Sequence, residues 1–199
     1  WGAIIHLAPV DPTRAIACAK RNGCPLLFAS SGAVYHDKPN QYGLDKIAWE
    51  QQVLDSGVDC RIARIFTTCG AHMKWDNFAI GNFIQNALDR KPILINSDGR
   101  SRRSYLYGAD MATWLWSALS VSHLEVPLHI GSDHSISILE LAKVVAEASS
   151  EILNYTPEIK VADTPKDNEA FHQYVPANNA TKQILNVDEW TSLNQGTRL

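Results

Sequence analysis

The sequence predicts an α/β fold built on a parallel sheet. Apolar runs without helical period stand at 3–8 and 26–30, as expected of strands covered on both faces, and 60–66 reads as another strand. Segments of helical pattern lie between them. The alternation strand, helix, strand, helix, strand is that of parallel crossover units.

In chain order, Ala3–Ala8 is the first strand and stops before Pro9. Thr13–Asn22 has helical composition, with Gly23 placed to close it. Cys24-Pro25 leads into Leu26-Leu27-Phe28-Ala29-Ser30-Ser31, a buried strand that delivers two hydroxyls at its C-terminal end. A helix carrying Tyr42 and Lys46 follows. Gly57-Val58-Asp59 turns the chain into the strand Cys60–Phe66. Phe78 opens a helix with apolar positions 80, 83, 84, 87 and 88. Ile93–Ile95 is a short strand, and Asp98-Gly99 a turn. Met111–Leu119 is a helix whose Trp114 and Trp116 belong in a core or an interface. Leu128–Ile130 is a strand, Ser137 to Glu140 a capping box that opens another helix, and Ile159–Ala162 a late strand. A last helix after Pro176 runs to Leu185.

At 199 residues the chain can bury one substantial core, or one core with a small lobe. Its 45% hydrophobic and 20% charged content is ordinary for a soluble globular protein. The net charge of -3, without a basic block, argues against a nucleic-acid track. Arg100, Arg102 and Arg103 cluster locally and suit a phosphate-bearing small ligand. Cys18, Cys24, Cys60 and Cys69 form no metal-ligand set with histidines, and reduced thiols are expected. No apolar run reaches membrane-span length, and residues 1–10 lack a charged leader, so a cytoplasmic protein is expected.

The chemistry centres on residues 26–49. Tyr42 and Lys46 are one helical turn apart and share a face. A phenol with an ordinary pKa near 10 is a poor base at neutral pH, and a neighbouring ammonium favours its phenolate. A Ser hydroxyl delivered by the preceding strand adds a hydrogen bond to the reacting oxygen. Ser31, Tyr42 and Lys46 are therefore the candidate catalytic set for proton transfer at a carbinol or carbonyl. Tyr-x-x-x-Lys alone is a weak signal, equally compatible with a surface Tyr and a solvated Lys; the upstream strand strengthens it.

Together, the strand ending Ser30-Ser31-Gly32-Ala33-Val34-Tyr35 and the Tyr42-x-x-x-Lys46 helix resemble the active-site segment of the extended short-chain dehydrogenase/reductases, the nucleotide-sugar epimerases and dehydratases. The likeness continues along nearly the whole chain. Ile5-His6-Leu7-Ala8 resembles the family's strand beside the nicotinamide cofactor. Arg103-Ser104-Tyr105 through Asp110 resembles its diphosphate-binding segment, Ser137-Ile138-x-Glu140-Leu141 a later helix start, and the stretch to Leu185 its closing helix. Thr67 stands where the family usually has Asn, and Asn186 where it has Gly.

The resemblance implies a partial Rossmann-type sheet with a smaller C-terminal substrate lobe. Residues 1–70 would be the C-terminal portion of the cofactor domain. Residues 71–199 would be mainly substrate lobe, with some segments returning to the first domain. It places Leu7, Ala8, Ser30, Tyr42, Lys46 and Phe66 at an NAD cofactor, with NADP open. It places Ser31, Asn82, Phe83 and Arg103 at a nucleotide-diphosphate sugar, and implies a homodimer. No metal, nucleic acid or membrane enters.

The family's Gly-x-x-Gly-x-x-Gly phosphate turn has no counterpart among these glycines, and two internal stretches are short. Segments of a longer protein are therefore expected to lie outside the sequence. Family dehydratases carry an Asp-Glu pair after the catalytic Thr, and decarboxylases keep a Glu. Here stand Gly32 and Ala33, which move no proton. That leaves hydride transfer through a keto sugar, as in an epimerase. A reductase or dehydratase of the same family, or a non-catalytic binding protein of the same fold, is the alternative.

Overall fold

A computed structural model describes residues 2–71, 73, 78–122, 124, 126–163 and 172–197. Its elements in order are β1 (Ile4–His6), α1 (Thr13–Asn22), β2 (Leu26–Ser31), α2 (Gln41–Asp55), β3 (Cys60–Ile65), β4 (Thr68–Cys69), α3 (Ala79–Leu88), β5 (Ile93–Ile95), β6 (Arg102–Arg103) and β7 (Leu106–Tyr107). There follow α4 (Gly108–Ser120), β8 (Leu128–Ile130), β9 (Ile136–Ser137), α5 (Ile138–Leu153), β10 (Ile159–Val161), β11 (Gln173–Tyr174), α6 (Asn179–Leu185) and α7 (Leu193–Gly196). No helix among the described residues is long and apolar enough to cross a membrane.

Contacts divide the chain into two units. The first holds residues 1–66, 110–131 and 176–188; the second holds 67–109, 132–175 and 189–199.

The first unit is organised on a parallel sheet of order β1-β2-β3-β8. Ile4 pairs with Leu26, Leu26 with Cys60, and Ala63 with Leu128. All six residues of β2 are buried, which is why its sequence is a continuous apolar run instead of an alternation. Phe28, Leu26, Ile62, Val53, Ile16 and Ala19 form a core on one side of the sheet. Gly23 closes α1 in the left-handed region at φ 59°. Trp114 is fully buried and donates its indole N–H to the Asp188 carbonyl at 2.9 Å. Trp116, expected in a core or an interface, is 66% exposed and so lies outside this core.

The second unit has its own core, in which α3 packs on α5 around Ile80, Phe83, Ile93, Tyr105, Leu141 and Val145. The Ser137 capping box forms as expected. Its hydroxyl accepts from the Glu140 N–H at 3.1 Å, and the Glu140 carboxylate accepts from the Ser137 N–H at 2.8 Å. The late strand β10 pairs in parallel with β5, and β6 lies between β11 and β9. These short pairs hold together segments far apart in sequence.

Tyr105 gives this core a pH signature. Burial pushes its phenol up to about 12 from 10.0. Above pH 10 the unfolded chain loses this proton first, so stability falls progressively towards pH 12. Burial also raises the Cys60 thiol, with the same sign. Tyr105→Phe should lessen the loss of stability between pH 9 and 11 by about 1.3 kcal/mol, leaving the cysteine's share. Urea unfolding of both proteins across pH 9 to 11 checks this; parallel curves would refute it.

Candidate active site

Strand β2 ends at Ser31, whose hydroxyl accepts from the Ala33 N–H at 3.2 Å and so caps a single 3-10 turn over Gly32–Tyr35. That contact uses the oxygen as an acceptor and leaves the Ser31 hydroxyl proton free to donate. Asn40 caps α2 by accepting from the Gly43 N–H at 3.0 Å. A Cβ on Gly43 would stand 2.8 Å from the Pro39 Cβ and 3.1 Å from the Ala33 carbonyl oxygen. The absence of a side chain there lets the start of α2 press against the turn that Ser31 caps. Tyr42 precedes Gly43 and stands 43% exposed.

Lys46 lies one turn further on and is 2% exposed. Its Nζ donates to the Ala29 carbonyl at 2.7 Å. It also sits 4.9, 5.3 and 5.8 Å from the ring centroids of Phe28, Trp49 and Tyr42. Burial pulls the Lys46 amine below its usual pKa, and the Glu50 charge opposes that pull. The structure thus brings the Tyr and the ammonium of the predicted set together, and ties the ammonium to the strand two residues before Ser31.

Sequence reasoning missed what lies behind them. Glu50, one turn beyond Lys46, is buried. It accepts from the Ser30 hydroxyl and takes a two-pronged contact from Arg64, at 2.9 Å from Nε and 2.6 Å from Nη2. Arg64 also donates to the Tyr35 hydroxyl and stacks over that ring at 4.8 Å. The Tyr35 hydroxyl meets Nε2 of His129, whose Nδ1 donates to the Ala177 carbonyl at 2.8 Å. In the neutral ring Nε2 therefore accepts from Tyr35. A signal was present: Arg64 inside the buried strand Cys60–Ile65 needs a partner, and Glu50 repeats the four-residue step from Tyr42 to Lys46.

Ser30, expected at the cofactor, has its hydroxyl directed into this network. Leu7 and Ala8 follow β1 and are exposed. Phe66 is half-buried, stacked on Tyr35 at 6.4 Å and edge-on to His129 at 5.9 Å.

The second unit holds the remaining predicted residues together. Asn82 and Phe83 from α3, Leu94 to Ser97 at the end of β5, Ser101 and Arg103 line one cavity of about 540 Å³. Phe83 contributes an apolar wall continuous with the core. Of the three clustered arginines, Arg100 contacts Asp98 at 2.6 Å, and Arg102 is held by Ser135 and lies 3.5 Å from Glu140. Among the described residues Arg103 meets no carboxylate. Its guanidinium donates to the carbonyls of Arg102 and His172, and lies 6.0 Å from the Tyr174 ring centroid. Of the three, it is the arginine whose partners among the described residues are all neutral acceptors, the arrangement that leaves charge for an anion.

The chain is similar to known proteins in sequence and in fold. A family model described as the NAD dependent epimerase/dehydratase family matches residues 10–130. UDP-glucuronic acid decarboxylase 4 of Arabidopsis thaliana is 28% identical over 208 residues, covering 92% of this chain and 45% of the relative. The chain spans about half the length of the first curated relatives it matches. UDP-N-acetylglucosamine 4-epimerase from Bacillus cereus superposes with a TM-score of 0.83 at 17% identity, over 98% of this chain and 77% of that one. UDP-glucose 4-epimerase of Thermus thermophilus, in complex with NAD, superposes with a TM-score of 0.79 at 18% identity, over 100% of this chain and 76% of that one.

The buried network makes a sharp prediction. Arg64→Ala leaves the Glu50 carboxylate buried without its cation and should cost about 3–5 kcal/mol by urea unfolding. Adding Glu50→Gln should recover a large part of that loss. Additive losses in the double variant would mean that the two groups do not act as a pair.

Proposed function

The chain belongs to the NAD-dependent epimerase/dehydratase family, and on that footing we propose that it works in an NAD-dependent nucleotide-sugar epimerase, with a UDP-sugar as substrate. The observation that carries this reading is the Tyr42 and Lys46 pair, whose buried ammonium lies 5.8 Å from the phenol ring. The choice of a UDP-sugar is supported by UDP-sugar enzymes among the relatives and structural neighbours.

The residues of the first unit fit the nicotinamide end of NAD. A Lys donor, an exposed Tyr, an exposed Leu7-Ala8 segment and a half-buried Phe66 follow the sheet strands. The glycine-rich phosphate turn is not among the residues of this sequence. NAD, when bound, supplies a hydride acceptor and donor at the sugar carbon.

Tyr42 takes the proton of the sugar hydroxyl as the carbinol is oxidised, and returns it to the oxygen when the keto sugar is reduced on its other face. Lys46 stabilises the negative charge that develops on the phenol oxygen while the proton is away. Ser31 donates a hydrogen bond to the reacting oxygen. In the second unit Arg103 binds the diphosphate, and the cavity with Asn82 and Phe83 takes the nucleotide.

The decarboxylase relatives suggest a second reaction. Gly32 and Ala33 weigh against it, since they offer no acid or base for chemistry beyond oxidation and reduction.

Tyr42→Phe keeps the ring and removes the oxygen. Single-turnover reduction of bound NAD⁺ by a UDP-sugar in the complete protein should fall by roughly 10²–10⁴. Equal rates in wild type and variant would end the acid/base assignment. Arg103→Ala should weaken UDP-sugar binding by about 1.5–3 kcal/mol, measured by calorimetry, with the melting temperature unchanged. An unchanged affinity would return Arg103 to the solvated surface.

A further inference from the structure

We infer that Glu50 is a positioning residue: together with Lys46 it bolts α2 to the end of β2, and so fixes the orientation of Tyr42 on the same helix. The inference rests on the proposed role of Tyr42, but one of its tests does not.

Tyr42, Lys46 and Glu50 occupy successive turns of α2. Each four-residue step advances about 40° around the helix, so the three form one slowly turning stripe. The second and third members of the stripe each hold β2, at adjacent residues. Lys46 donates to the Ala29 carbonyl, and Glu50 accepts from the Ser30 hydroxyl. One bond uses the strand backbone and the other a side chain, so the helix is restrained against both sliding and rolling on the strand. The first member of the stripe, Tyr42, inherits that orientation. Its neighbour Gly43 is meanwhile pressed to the turn that follows Ser31.

The clamp needs a carboxylate that does not swing. Arg64 on β3 supplies this with two contacts and is itself held by Tyr35. Such a buried ion pair is weak as a stabilising device, because desolvation offsets much of its attraction. Its directional bonds are what an apolar substitute would lack. Lys46 is faced by Phe28 from β2 and by Tyr42, Trp49 and Glu50 from its own helix. Glu50 is faced by Ser30, Arg64 and Lys46, with Tyr35 and His129 behind Arg64. Removing the Glu50 charge leaves Lys46 with no anion among these partners.

The test uses the complete protein with NAD⁺ and UDP-glucose, in wild type, Glu50→Gln, Glu50→Asp and Ser30→Ala. In Glu50→Gln the single-turnover rate should fall roughly tenfold or more, while UDP affinity by calorimetry holds. Its high-pH limb should move to lower pH, because Lys46 loses its opposing charge and gives up its proton sooner. The ¹⁵Nζ titration of Lys46 by NMR should move the same way, and Glu50→Asp should restore part of it. Ser30→Ala keeps the ion pair and its fold. It should slow turnover while leaving the Lys46 titration in place. Variants that lower the melting temperature but keep the wild-type rate, pH limb and Lys46 titration would overturn the inference and leave Glu50 purely structural. If the wild type transfers no hydride, the epimerase reading fails, and the Lys46 titration in Glu50→Gln still decides whether Glu50 governs that ammonium.

Discussion

The Lys46 ammonium, buried at the end of a fully covered strand, is the constraint on which the rest of the first unit depends. A charge with almost no exposure must be met by polar groups close at hand, or it gives up its proton. Here the Ala29 carbonyl, three aromatic rings and the Glu50 charge meet it. Glu50, buried in turn, needs Arg64, and Arg64 is aligned by Tyr35. One internal cation therefore dictates polar residues on α2, β2, β3 and the turn after β2, in what would otherwise be an apolar interior.

This arrangement explains why β2 looks as it does. Leu26, Leu27 and Phe28 are buried to fill the space beneath the helices. The strand becomes polar only at Ser30 and Ser31, and successive strand residues point to opposite faces. Ser30 turns to Glu50, while Ser31 caps the following turn and keeps a proton to donate. Two adjacent serines that look equivalent in sequence thus have different work.

In the second unit the same logic selects among like charges. Three arginines fall within four positions, and among the described residues they separate by partner: Arg100 has Asp98, Arg102 has Ser135 and Glu140, and Arg103 has carbonyl oxygens. A guanidinium held by neutral acceptors keeps its full charge for an anion, whereas one opposite a carboxylate is largely neutralised. Short strand pairs from distant segments hold this loop region in place, since β6 lies between β11 and β9.

The sequence by itself determined the parallel α/β sheet, the helix ends at Gly23 and Ser137, and the pairing of Tyr42 with Lys46. Each of these follows from local rules: apolar runs mark buried strands, caps have characteristic residues, and a four-residue step fixes a helix face. The chain's resemblance to the epimerases and dehydratases also singles out Arg103. Only the tertiary structure decided that Glu50, Arg64, Tyr35 and His129 form one network, that Ser30 belongs to it, that Trp116 is exposed while Trp114 is buried, and that Arg103 lacks a carboxylate among the described residues. The reason is physical. Burial and hydrogen-bond partnership are set by residues far apart in the chain, as Tyr35 and His129 are, and no local pattern of residue types encodes which distant group completes a buried charge.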